Sequence, residues 1–171
     1  MKIVGAMMVI GASAWLGSLI ANNYRQRPRL LGRFAQAVEM LRSLISYSYT
    51  PLPQAFVKVA ENNAGYVAKI FGTAAGLMSS GQGLSGGEAW NQALTHWGPF
   101  LPLDQDDLIL LKDAGNALGL TDKTDQERHL TLALEQIRHR IDQLEVSASH
   151  TAKVWFYLGL SGGGILVLVL L

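Results

Sequence analysis

The chain is expected to be all-α, a six-helix cytosolic bundle at 23–152 flanked by transmembrane helices at 1–22 and 153–171. Three observations predict this. Both ends are uncharged apolar runs, while the middle places its apolar residues in steps of three and four. Helix-start and helix-stop residues divide that middle into six segments. No segment alternates apolar and polar residues long enough to argue for a strand.

Composition narrows the classes of function. A chain of 171 residues allows one soluble domain plus anchors. The net charge of +1 gives no global electrostatic case for nucleic acid. Cysteine is absent, which excludes disulfides, Cys-ligated zinc and thiol catalysis.

Ile3 to Ala21 carries no charge and follows Lys2. It is longer than the usual apolar region of a secretory signal, and Leu19-Ile20-Ala21 is a poor cleavage site, so a retained anchor is expected. Arg25, Arg27, Arg29 and Arg33 follow at once, and positive charge beside a span is held on the cytoplasmic side. The domain between the anchors is therefore expected in the cytosol. The other span, Val154 to Leu171, is also uncharged. At about 1.5 Å per residue it covers roughly 27 Å, near the minimum for a bilayer core of about 30 Å. Ser13 with Gly17, and Gly159 with Gly163, stand at four-residue spacing, the pattern that lets membrane helices approach closely. Neither span holds an ionisable residue on which an ion or proton path could be built.

Between the spans, Leu30, Phe34, Ala37, Leu41, Leu44 and Ser48 form the stripe of the first helix. Leu130, Leu134, Ile137, Ile141, Leu144 and Ala148 form the stripe of the last, which Thr124 and Glu127 open as a capping box. Two stripes of matching phase, one leading in and one leading back, predict an antiparallel pair. Thr50-Pro51 ends the first helix and starts the second, with Thr50 as cap and Ala55, Phe56, Val59 and Ala60 inward. Asn62-Asn63 turns into a third bearing Tyr66, Val67, Ile70, Phe71, Ala74 and Leu77. Ser79 to Gly87 reads as a flexible connection, and Ser85 with Glu88 caps a fourth helix whose Trp90 and Trp97 are expected in the core. Asp104 caps a fifth that runs past Leu118 to stop at Gly119.

A search for chemistry finds none that converges. The glycine-rich stretch lacks the lysine and hydroxyl of a phosphate loop, with Glu88 and Ala89 in their place. His129 and His139 lie about 80° apart in projection and nearly three turns distant, so they read as solvated. Asp104, Asp106 and Asp107 lack the spacing of a calcium loop and read as helix-start charges. No catalytic, metal or cofactor residue is assigned. Arg25, Arg27, Arg29 and Arg33 have two readings: they fix topology and bind anionic lipid, or they dock an acidic partner.

Trp15-Leu-Gly17, Tyr24-Arg-Gln-Arg-Pro-Arg29, Ile45-x-Tyr47, Thr50-Pro51-Leu52, Glu88-Ala-Trp90, Leu118-Gly-Leu-Thr-Asp122 and Gln126 with His129-Leu130 occur in an order that resembles the stage III sporulation protein AB family. The resemblance covers essentially the whole chain. Ser43-Leu44 departs from it, since an acidic residue is expected just before Ile45. That family is similar to the F-type platform proteins of type II secretion and type IV pilus machines, whose cytoplasmic domains are six-helix bundles. The resemblance implies a non-enzymatic platform in the channel between mother cell and forespore, in the outer forespore membrane, with the bundle in the mother-cell cytosol. It further implies other channel subunits as partners, the assembly ATPase stage III sporulation protein AA among them, and homo-oligomers. A membrane-tethered regulator or ligand sensor is the alternative.

Overall fold

A computed structural model describes residues 26–116, 118–119 and 124–146. Six helices and no strand lie among them: α1 (26–46), α2 (Leu52–Glu61), α3 (Gly65–Ser79), α4 (Gly86–Trp97), α5 (Gln105–Gly115) and α6 (124–146). A short 3-10 turn, Gly98–Phe100, follows α4. Leu30–Ile141 forms one unit, and residues 26–29 and 142–146, which continue α1 and α6, belong to another. No described helix is long and apolar enough to cross a membrane. Both expected spans, with Ser13, Gly17, Gly159 and Gly163, lie outside the described residues, as does Arg25.

In α1 the buried stripe is Leu31, Phe34, Val38, Leu41 and Ile45, with Ala37 beside it. The expected stripe was rotated by part of a turn, for Leu30 and Leu44 are half-buried and Ser48 is exposed. Steps of three and four admit both settings wherever apolar residues are adjacent, as at Leu30-Leu31 and Leu44-Ile45, and packing chooses between them. The last helix keeps its expected face, with Leu130, Leu134 and Ile137 buried.

Helices α1 and α6 pair antiparallel. Arg42 Nη1 donates to Thr131 Oγ1 at 3.2 Å, and Arg138 Nη2 lies 3.6 Å from Glu39 Oε2. Partner numbers rise as α1 is read backwards, which only antiparallel helices allow. Leu30 and Ile141, where the chain enters and leaves this unit, are therefore at the same end.

After α1 the backbone turns at Tyr49, whose φ is +50°, and the Thr50 N–H donates to the Leu44 carbonyl at 3.1 Å. Pro51, not Thr50, is the N-cap of α2, with Leu52 and Pro53 in its first turn, and no side chain caps it. A proline at the start surrenders no helical hydrogen bond, so the helix begins without a hydroxyl cap. At the other end the Asn62 and Asn63 amides donate to the Lys58 and Val59 carbonyls, both at 2.8 Å, closing the helix for the turn into α3.

The α4 start is a full capping box. The Glu88 N–H donates to Ser85 Oγ at 3.3 Å, and the Ser85 N–H donates to Glu88 Oε2 at 2.8 Å. Hydrogen bonds from the Ser85 N–H and then the Ser85 hydroxyl hold the Glu88 carboxyl below its ordinary 4.5. A depressed carboxylate stabilises the fold above its unfolded value and loses that contribution as pH falls through the folded one. The urea midpoint of the native chain should exceed that of Glu88→Gln at neutral pH, with the gap closing below about pH 4.5. A gap that stays constant into acid would show that the carboxylate charge contributes nothing.

At the centre, Phe56, Phe71 and Trp90 meet with ring centroids 4.9 to 6.0 Å apart. Burying each large apolar side chain stabilises by roughly 1.5–3 kcal/mol. The Trp90 indole N–H donates to the Leu111 carbonyl at 2.7 Å, tying α4 to α5. A cavity of about 10 Å³ remains beside the cluster, lined among others by Val38, Phe56, Trp90 and Leu130. That is room for one water.

Gly86 and Gly87, expected in a flexible connection, are buried in the first turn of α4. A Cβ on Gly87 would lie 2.9 Å from the Gly115 carbonyl oxygen, and the Gly87 N–H donates to the Leu118 carbonyl at 2.9 Å. Two backbones touch here, which side chains would forbid. Helix α5 ends earlier than expected, at Gly115 with Asn116 as C-cap, and Gly119 (φ +85°) lies beyond it. The early end lets Leu118 turn back onto α4.

Candidate functional site

Three groups of charged side chains stand out among the described residues. On α1, Arg29 and Arg33 are exposed and one helical turn apart, so they project from the same face, while Arg27 is half-buried. The second group crosses from α1 to α6: Arg42 pairs with Glu39, Glu39 also faces Arg138, and Arg42 reaches Thr131. This group consolidates the antiparallel pair.

The third group is the one that spacing could not reveal. Asp104 caps α5 by accepting from the Asp107 N–H at 3.0 Å, and the Asp107 carboxylate accepts in return from the Asp104 N–H at 3.4 Å. Asp107 is fully buried. Arg140 of α6 donates through Nε to Asp107 Oδ1 at 2.8 Å, with Asp104 and Asp106 at 3.4 and 3.7 Å. The hydrogen bond to Asp107 raises the Arg140 guanidinium above its ordinary value, burial opposes this, and the charges of Asp107, Asp104 and Asp106 add to it. A raised cation contributes stability below its unfolded value and loses it only in strong alkali, so this contribution is complete at neutral pH. The three aspartates are helix-start charges, as their spacing predicts, and they also form the seat of a half-buried arginine. Nothing in the local sequence marks Arg140, because its partners are supplied by another helix.

His129 and His139 are exposed on α6. Among the described residues no group of three or more His, Asp or Glu is placed to hold a metal ion.

Aromatic residues at the surface form two further groups. Tyr47 and Tyr49 are exposed where α1 ends. Trp97, expected in the core, is half-buried, because its indole N–H donates sideways to Thr73 Oγ1 at 2.9 Å on α3. Tyr66, His96 and Phe100 stand around it with centroids 6.4, 5.0 and 6.1 Å away, and Lys69 Nζ lies 4.8 Å from its ring.

This geometry contains contact surfaces on a closed helical body, and comparison with known proteins supplies its kinship. The family described as stage III sporulation protein AB matches residues 2–171. The chain belongs to that family. Stage III sporulation protein AB of Bacillus subtilis (strain 168) is 29% identical over 171 residues, covering 100% of this chain and 99% of the relative. A solved structure of stage III sporulation protein AB aligns with a TM-score of 0.68 at 28% identity, covering 72% of this chain and 97% of that one. Membership in the stage III sporulation protein AB family gives the chain a role in sporulation. The all-helical fold agrees with the solved relative.

Proposed function

We propose that this chain is a non-enzymatic membrane platform of the apparatus linking mother cell and forespore, with spans at 1–22 and 153–171 and its bundle in the mother-cell cytosol. One observation carries the reading. The antiparallel pairing of α1 with α6 brings chain entry and exit to one end of the bundle. A body held this way needs only a single membrane for both tethers, and its remaining surface stays open to partners. The uncharged runs at both ends supply the tethers, and Arg25, Arg27, Arg29 and Arg33 set the orientation and meet anionic lipid. Other subunits of the apparatus, with stage III sporulation protein AA as assembly ATPase, are the proposed partners, and further copies of the chain are another.

The ligand-sensor alternative finds little support in the central cavity, whose volume of about 10 Å³ is far below the few hundred a small-molecule site occupies. Mild detergent extraction from sporulating cells should recover the other subunits with this chain. Recovery of the chain alone with a bound small molecule would favour the sensor. Reporters fused within residues 79–87 should be active in the cytosol, and an exported signal there would reverse the topology.

A further inference from the structure

The surface around Trp97 combines features that the platform reading does not use. Phe100 is 61% exposed beside exposed Pro99, and Lys69 and His96 are exposed at the edges of the same cluster. Lys69 Nζ lies 4.8 Å from the Trp97 ring and 5.5 Å from the Tyr66 ring, so its ammonium is held over two aromatic faces at the exposed edge of the cluster. The Trp97 hydrogen bond to Thr73 fixes the indole in place. Of the acids nearest in sequence, Asp104, Asp106 and Asp107 lie beside Arg140, and Glu61, five residues before Tyr66, is exposed at the end of α2. The patch is thus aromatic, fixed by the Trp97 hydrogen bond, and carries Lys69 as its cation.

Its position follows from contacts already described. Asp104 and Asp107 are held by Arg140, one residue from the point where the chain leaves the bundle at Ile141. Phe100 precedes Asp104 by four residues, a reach of at most about 14 Å. The cluster therefore belongs to the end of the bundle at which the chain enters and leaves.

We propose that Tyr66, Lys69, Trp97 and Phe100 form a contact site for an anionic bilayer surface. Trp and Tyr rings suit the headgroup layer because each has an apolar body and a polar tip. Phe100 enters the acyl boundary, and Lys69 meets lipid phosphates. The site rests on the reading that the chain's ends lodge in a membrane. It adds a lipid contact, made by the bundle itself, that would fix the body's tilt against the surface.

The native chain has no cysteine, so Pro99→Cys gives a single attachment point beside Phe100 for an environment-sensitive fluorophore. The labelled full chain is reconstituted into phosphatidylcholine vesicles with and without phosphatidylglycerol, and flotation is scored alongside emission. A blue shift with rising intensity in the anionic vesicles is expected, lost in Lys69→Glu and in Phe100→Ser. A label on Val57→Cys of α2 should stay water-like in both compositions. If circular dichroism shows that Pro99→Cys disturbs the fold, exposed Thr95→Cys replaces it. A chain that floats in both compositions while the label stays water-like overturns the proposal and leaves the anchoring intact. Failure to float in either overturns the anchoring, and this site with it. A label shielded only by membranes from sporulating cells assigns the patch to a protein partner and also overturns it.

Discussion

Replacing Gly115 with alanine should lower the unfolding free energy by about 3 kcal/mol, at the upper end of ordinary overpacking in a core. The new Cβ would lie 1.9 Å from Trp90 Cδ1 and within 2.7 Å of two further indole atoms. Trp90 cannot swing aside, because Phe56 and Phe71 pack against it and its N–H is committed to Leu111 on the same helix as Gly115. Either α5 moves or that hydrogen bond breaks. For a body of this size the thermal midpoint should fall by roughly 10 °C. Near-ultraviolet circular dichroism of the full chain in detergent would follow both the midpoint and the loss of fixed tryptophan packing. An unchanged midpoint would mean that Trp90 does not press on the α5 backbone.

Arg140→Met should cost about 3 kcal/mol, because it leaves Asp107 charged, fully buried and without its strongest donor. The Asp104 N–H, at 3.4 Å, is too distant to compensate. Asp106→Asn, by contrast, should change stability by no more than about 0.5 kcal/mol, since Asp106 is 80% exposed and 3.7 Å from the guanidinium. Adding Asp107→Asn to Arg140→Met should recover part of the loss, because no buried charge is then left unpaired and an asparagine still accepts a hydrogen bond. Chemical denaturation of these proteins together with Asp107→Asn alone closes the cycle and gives the Arg140–Asp107 coupling directly. Equal effects of Arg140→Met and Asp106→Asn would sink the idea that burial sets the strength of this pair.

Both predictions concern features that a linear reading treats as local. Asp104 was legible as a cap because it stands just before the first turn of α5, whereas the reciprocal bond from Asp107 that completes a capping box is a finding of the structure. Arg140 was not legible, since the residue that completes the site is supplied by another helix. Gly86 and Gly87 looked like connection because glycine permits turns and close contacts equally, and only the α5 backbone beside them decides which. Trp97 was expected inside on the same periodicity that buries Trp90. One position per turn cannot distinguish the centre of a face from its edge, and the Thr73 hydroxyl on α3 draws this indole to the edge.

The sequence by itself determined the helical class, the presence of six segments, the capping box at Ser85, the cap at Asp104, and the antiparallel partnership of α1 with α6. Each of these depends on residues within a few positions of one another, or on a period that the helix itself imposes. Only the tertiary structure decided which edge of the α1 stripe is buried, where α5 stops, and that Arg140 neutralises a buried aspartate. Those outcomes depend on atoms brought together from distant parts of the chain, and a helical period records direction without recording what lies opposite.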